Sequence, residues 1–362
     1  MRIVLSNASY AWGGVHQVTE VLARGLQARG HEVTVFVRPD SPLEERMRGV
    51  APVEPILKGM DLSPLAISRA ATALRRHRAQ VVLTLMKKDV RITGPAARAL
   101  GIPVVVRHAN DRPFGRSPHY RLLYGTVAAH HVANSDATRD TLLASAPWLA
   151  PDDVTVIHNG LDPERFARAV PAALPVPPGV LVIGFVGRFD ERKGLLDLAR
   201  AWPAVSAALP DAHLVLVGKG PAEAAARALL DGAPRVHWLG FRRDVAAALK
   251  AMDILAVPSH WEGFGLVAAE ALAAGVPVVA AEASSLPEIV RDGREGLLVP
   301  AGEVEVLAAA LVRLGRDPDE RRRMGAAGPP RVAAEFGLEG MIDRYEALLN
   351  RMASLRGTED RR

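Results

Sequence analysis

The 362-residue chain contains no cysteine, which excludes a disulfide framework and any thiolate metal site. Its only D-x-D, Asp317-Pro318-Asp319, runs into 320-ERRR between helical patterns. That context predicts a helix start and not a cation site, so the expected chemistry needs no metal and no other cofactor. No apolar run is long enough to span a bilayer, and the N-terminal MRIVLSNASY is too short and too polar for a signal peptide. A soluble, cytoplasmic protein is expected, at most peripheral at the inner face of a membrane. Aromatic residues make up 5% of the chain and are not interleaved with its basic residues, which argues against nucleic acid as a partner.

What is present is charge of uneven distribution and a repeated alternation of elements. Residues 1–170 carry 22 Lys and Arg against 15 Asp and Glu, whereas the rest carries 23 against 25. A basic first half predicts an anionic partner there, such as a membrane surface or an acidic acceptor. The segment 69-RAATALRRHRAQ-80 and Lys87-Lys88 are the basic candidates, with a solvated helix face as the plain alternative. The length favours two domains. Both halves alternate short β-branched runs with longer Ala/Leu/Arg patterns, which predicts βα units and two doubly wound parallel sheets facing across a cleft. The proline-dense 168-RAVPAALPVPPG-179 breaks the periodicity and sets the expected boundary: residues 1–170 for an acceptor-binding domain, 171–335 for a donor-binding domain, and 336–362 for a final amphipathic helix and tail.

The most informative stretch is 262-EGFGLVAAE-270, which follows the apolar strand pattern 253-DILAVPS. A loop carboxylate, Glu262, can accept hydrogen bonds from hexose hydroxyls. The amides of Gly263, Phe264, Gly265 and Leu266 sit where a helix begins, and helix N-termini favour phosphate. Glu270, expected two turns into that helix, can chelate a vicinal diol such as a ribose. In 184-GFVGRFDERKGLLDLARAW, Arg188 and Lys193 flank a loop at a strand's carboxyl end, where two cations can grip a diphosphate. The plain alternative there is a solvated loop with Glu191 paired to Lys193. The turn at Gly218 in 215-VLVGKGP, and Phe241 with Arg242 in 239-LGFRRDV, end two further strands and can border a phosphate or a base. Gly13 and Gly14 open a helix after the first strand without forming a GxGxxG fingerprint.

The order G-R-x4-K-G, V-G-x-G-P, L-G-F-x-x-D, E-G-F-G-L-x3-E-A-L-A-x-G-V-P-V-V and G-x-x-G-L-L-V-P resembles the retaining GT-B glycosyltransferases of family 4, and the resemblance is strongest from Gly184 to Pro300. It implies two Rossmann-like domains with the last helix crossing back to the first. It also implies hexose transfer from a nucleotide sugar, UDP-glucose or another UDP-hexose first and GDP-mannose second, to a glycan, lipid-linked or small-molecule hydroxyl with retention of configuration. Envelope polysaccharide or glycolipid synthesis is the implied setting. Arg188 and Lys193 would hold the diphosphate, Glu262 the sugar hydroxyls, Glu270 the ribose, and the Phe241–Arg242 loop the base. Gly13 and Gly14 would approach the donor phosphate. His108, in 104-VVVRHAND-111, stands where the family has a histidine beside the reacting sugar, with Asn110 and Asp111 as lesser candidates. The competing readings are an epimerase or phosphorylase of the same fold and an inactive sugar-nucleotide-binding regulator. Retention of all five charged or ionisable positions together disfavours the regulator.

Overall fold

In a computed structural model, residues 1–10, 14–109, 113–114 and 118–359 are described. The chain forms two compact units, residues 1–159 together with 339 onward, and residues 160–338.

The first unit contains strands β1 (Arg2–Asn7), β2 (Glu32–Val37), β3 (Val53–Glu54), β4 (Val81–Thr84), β5 (Val104–His108), β6 (His130–Ala133) and β7 (Val154–Val156). They form one parallel sheet in the order β3-β2-β1-β4-β5-β6-β7. The central strands are nearly continuous runs of Val, Ile and Leu because helices cover both faces, which leaves no solvent face to require alternation. Each branched side chain so buried stabilises the fold by about 1.5–3 kcal/mol. The strand order reverses between β1 and β4. There the carboxylate of Asp89 accepts from the amides of Ala8 at 2.8 Å, Met86 at 2.8 Å and Leu85 at 3.2 Å, tying together the loops that leave both strands.

The second unit repeats the plan with β8 (Leu181–Val186), β9 (Ala212–Val217), β10 (Val236–Gly240), β11 (Ile254–Val257), β12 (Val278–Ala281) and β13 (Gly296–Val299), all parallel, in the order β10-β9-β8-β11-β12-β13. Two apolar layers sandwich this sheet, one built on Trp202, Leu198 and Leu311, the other on Leu272, Ala268 and Phe264.

The chain leaves the first unit earlier than the proline-rich segment suggested. Leu161 and Phe166 lie in the second unit's core, with Ala169, Leu174 and Val176 packed against it. Prolines 171–178 therefore end a stretch already docked, and do not form a free linker. The return is made by the helix Leu338–Glu359, which is longer than the expected 338–352. Its residues from 339 onward pack on the first unit. Arg29 donates to Glu339 at 2.8 Å and Asp343 at 2.6 Å, His31 meets Glu346 at 2.7 Å, and Arg107 Nε donates to the buried Tyr345 hydroxyl at 3.1 Å. Gly25 lets this helix pack closely: a Cβ on it would lie 2.3 Å from the end of the Ile342 side chain.

Candidate active site

The second sheet reverses its strand order between β8 and β11, the kind of switch point at whose strand carboxyl ends doubly wound sheets bind ligands. The loop leaving β8 carries Arg188 and Lys193; the loop leaving β11 carries Glu262. Their meeting depends on a glycine. Gly194, at φ +67°, lies so close to the end of β11 that a Cβ would stand 1.8 Å from the Pro258 carbonyl oxygen. This contact seats Lys193 beside the loop after β11, and its Nζ donates to Glu262 Oε1 at 2.5 Å. Glu191 is not its partner. The Ser259 hydroxyl donates to the same oxygen at 3.0 Å, and the Glu262 side chain is 8% exposed. A buried carboxylate is costly unless paired and hydrogen-bonded, and here it is both.

Arg188 stands apart from this pair, 70% exposed, with Nε 3.9 Å from Asp190. Asp190 also accepts from Arg192 at 2.8 Å. Beneath them Gly218, at φ +147°, lets β9's exit pass directly under β8's: a Cβ there would fall 1.8 Å from the Gly187 carbonyl oxygen. Phe241 is 66% exposed beyond β10, and Arg242 is exposed next to it.

The helix after Glu262 is Leu266–Ala273, with Gly265 in the left-handed region at φ +79° as its first flanking residue. A Cβ at Gly265 would press 2.9 Å from Leu286. The amides from Gly263 to Leu266 thus lie at a helix start, but the Phe264 side chain does not face out: it is 3% exposed and meets Phe336 edge-on at 5.6 Å. Only its backbone is placed to meet a ligand. Because the helix begins at Leu266, Glu270 lies one turn in, not two. Burial pushes its carboxyl up to about 7, and the positive charge of Arg165 opposes that rise. Arg165 belongs to the helix Pro163–Ala167, which the chain's early crossing at Gly160 carries onto the second unit. Sequence reasoning assigned it to the other domain and so missed it.

Two further residues were missed. His260 Nε2 lies 2.5 Å from Asp197, which also accepts from Arg200 at 2.9 Å, and the His260 amide donates to the Arg192 carbonyl at 2.8 Å. This clamp fastens the loop bearing Glu262 to the helix Leu195–Ala208. A lone aspartate among the apolar residues of 195-LLDLARAW was the available signal.

In the first unit His108 ends β5. Its Nε2 lies 2.9 Å from Nδ1 of His131, the rings stack at 5.2 Å, and Phe114 meets it edge-on at 5.4 Å. Burial, then the neighbouring His131, Lys87 and Arg107, holds its pKa well below the ordinary imidazole value. Gly14 is the exposed first residue of the helix Gly14–Ala28, while Gly13, Asn110 and Asp111 lie outside the described residues. The Asp317 carboxylate accepts from the Glu320 amide at 2.8 Å, capping the helix Pro318–Glu335 as its context predicted. Of the basic candidates, Arg69 and Arg75 are exposed on the helix Pro64–Arg76. Arg76 pairs with Glu54 at 2.5 Å, and Lys88 donates to the Gly59 carbonyl at 2.7 Å. No helix among the described residues is long and apolar enough to cross a membrane.

Two Rossmann-like units, each a parallel sheet with a switch point, define the GT-B class of α/β proteins. The fold is shared with the crystal structure of HepE from Anabaena in complex with UDP and glucose, at a TM-score of 0.80 and 22% identity over 97% of this chain and 100% of that one. The description "Glycosyltransferase Family 4" matches residues 12–165, and "Glycosyl transferases group 1" matches residues 180–317. The chain is 30% identical to the phosphatidyl-myo-inositol mannosyltransferase of Mycobacterium leprae over 88% of each chain. It is 36% identical to a D-inositol 3-phosphate glycosyltransferase of Saccharomonospora viridis over 63% of this chain and 57% of that relative. The chain belongs to glycosyltransferase family 4, enzymes that transfer a sugar from a nucleotide sugar.

Proposed function

We propose that the protein transfers a hexose from a sugar nucleotide to the hydroxyl of a phosphate-bearing acceptor, with retention at the anomeric carbon and without a metal. The observation that carries this reading is the Lys193–Glu262 pair, which joins the loops leaving β8 and β11. Arg188 and Lys193 bind the diphosphate, Glu262 the sugar hydroxyls, Glu270 the ribose diol, and the Phe241–Arg242 loop borders the base. The roles proposed for the first unit's residues are contact with the donor phosphate for Gly14 and with the sugar for His108.

The acceptor oxygen bonds to the anomeric carbon on the face from which the phosphate departs. The bond from that carbon to the phosphate oxygen breaks, and the acceptor's proton passes to the leaving phosphate. Negative charge grows on that phosphate as the bond lengthens, so the two cations stabilise the transition state more than the ground state.

Mannose from GDP-mannose takes precedence over the UDP-glucose suggested by sequence, because the relative aligned along 88% of each chain is named a mannosyltransferase. Both relatives' names carry an inositol and a phosphate, and the basic first half of this chain suits an anionic acceptor of that chemistry. Lipid linkage would bring the protein to a membrane surface through Arg69 and Arg75.

A donor panel tests the reading. Purified protein with an inositol phosphate acceptor, in excess chelator, should release GDP from GDP-mannose faster than UDP from UDP-glucose. Release of neither, or activity that returns only on adding Mn²⁺, would remove it.

A further inference from the structure

The first unit carries a groove between the helices Lys87–Ala99 and Pro118–Val127. Its volume is about 710 Å³, within the roughly 300–1,000 Å³ of pockets that hold small ligands. The walls are apolar: Pro95 and Ala99 from the first helix, Leu122 and Leu123 from the second, and Leu62 from the loop before the helix Pro64–Arg76. Arg91 and Arg98 join the same wall as Pro95, since positions i, i+4 and i+7 share one helix face. Among the described residues the first unit exposes five large hydrophobic side chains, and four belong to this region. Leu62 and Leu122 line the groove, while Met60 and Leu65 flank Leu62 in the chain. Apolar side chains scattered singly need no explanation, but a cluster of them marks a contact surface. Leu62 is also held at φ +60°, a left-handed backbone that a leucine adopts only at a cost. Two cations fix the loop there: Lys88 donates to the Gly59 carbonyl at 2.7 Å, and Arg91 donates to Asp61 at 2.5 Å. Asp61, the acid in the lining, is thereby neutralised. Arg98 is exposed, and its guanidinium has no partner among the described residues.

We propose that this groove takes one acyl chain of an anionic phospholipid at a membrane surface, with the lipid phosphate on Arg98 and the exposed leucines among the neighbouring chains. A phospholipid matches both parts of the site, offering an alkyl chain to the apolar wall and an anion to the unpaired guanidinium. A second copy of this chain matches it less well, because a two-fold contact through this face sets its arginines against their own counterparts. One buried chain alone gives only marginal, reversible membrane binding, so a second attraction is needed. Cations supply it here: Arg98 in the groove, and the exposed Arg69 and Arg75 on the helix Pro64–Arg76, which packs against Lys87–Ala99. The inference stands on the first unit alone and does not depend on the donor roles proposed for the second.

The test floats the whole chain with vesicles of phosphatidylcholine, alone or mixed with phosphatidylglycerol, at low salt. Wild type should bind the mixed vesicles and leave the neutral ones largely bare. Leu62→Ser/Leu122→Ser should weaken binding at least roughly thirtyfold, the scale of losing the burial of two leucines. Arg98→Gln should weaken it roughly fivefold, the worth of one cation at an anionic surface. Thr126→Trp fills the groove while sparing the leucines and cations, and should weaken binding roughly tenfold. All three variants should melt within about 2 °C of wild type, because the altered positions are exposed, so lost binding is not lost folding. Wild type that ignored the mixed vesicles, or bound neutral ones equally, would overturn the proposal. So would Thr126→Trp binding as tightly as wild type, which would leave the groove empty. A lipid-free dimer that Leu62→Ser/Leu122→Ser converts to a monomer would also overturn it, since a second copy would then occupy the face. Sugar-nucleotide turnover in the same samples is a separate readout: its absence removes the donor reading, while flotation still decides the groove.

Discussion

Lys193→Met is expected to lower the thermal midpoint by roughly 6–12 °C and to reduce kcat/KM at least about a hundredfold, and only the first loss is recoverable. Removing the ammonium leaves Glu262 charged and 8% exposed, with the Ser259 hydroxyl as its remaining side-chain partner among the described residues. Stranding a buried charge in this way costs about 3 kcal/mol. The double variant Lys193→Met/Glu262→Gln removes the stranded charge while keeping an acceptor for Ser259, so its midpoint should return close to wild type. Its activity should not return, because the cation is needed on the diphosphate and the carboxylate on the sugar. Initial rates and thermal unfolding of the two single variants and the double variant complete the cycle. If the double variant regained transfer activity, the pair would be structural and the site would lie elsewhere. If Lys193→Met unfolded at the wild-type temperature, the pair would be as weak as an exposed one.

Glu270→Gln should do the opposite to stability while harming donor binding. In an unfolded chain this carboxyl titrates near 4.5, whereas in the folded protein burial raises it to about 7. Between those values the folded state keeps a proton that the unfolded chain has lost, so stability falls as pH rises through the window. The favourable contribution is complete below about pH 4.5 and is lost as pH passes 7. At pH 8 the charged side chain costs on the order of 1–3 kcal/mol, discounted for its partial exposure. Glu270→Gln should therefore melt higher than wild type at pH 8 and at an equal temperature near pH 4.5. The wild-type donor KM should rise as pH falls through 7, because a protonated carboxyl is a poorer acceptor for a diol. In the variant it should be about tenfold higher at pH 8 and flat with pH. A variant that melted lower at pH 8, or a wild-type donor KM constant from pH 6 to 8, would contradict the assignment. A residue that destabilises its own fold at working pH is what a binding site requires and a purely structural helix does not.

The parallel sheets and the loops at their switch point were legible because buried parallel strands read as apolar runs, and because the backbone forces glycines of the G-R-x4-K-G and E-G-F-G motifs. Gly194 lies against the Pro258 carbonyl, and Gly265 holds the left-handed φ of +79°. Short elements were less visible. β3 has two residues and β13 four, too few to establish a period, and both are edge strands. The pairing of Lys193 with Glu262 was hidden for a different reason. Sixty-nine residues separate them, and nearby Glu191 offered a local partner that the short 3₁₀ turn Glu191–Lys193 leaves unused. Arg165 was misassigned because proline density marks where periodicity stops, which is not where a chain changes its packing partner.

The most direct test of the account is a crystal structure of this protein with an intact sugar nucleotide. The pyrophosphate should lie between Arg188 and Lys193, the hexose hydroxyls on Glu262, and the ribose diol on Glu270. A ligand bound away from the β8/β11 loops, or one that left the Lys193–Glu262 bridge closed and Glu270 untouched, would contradict it.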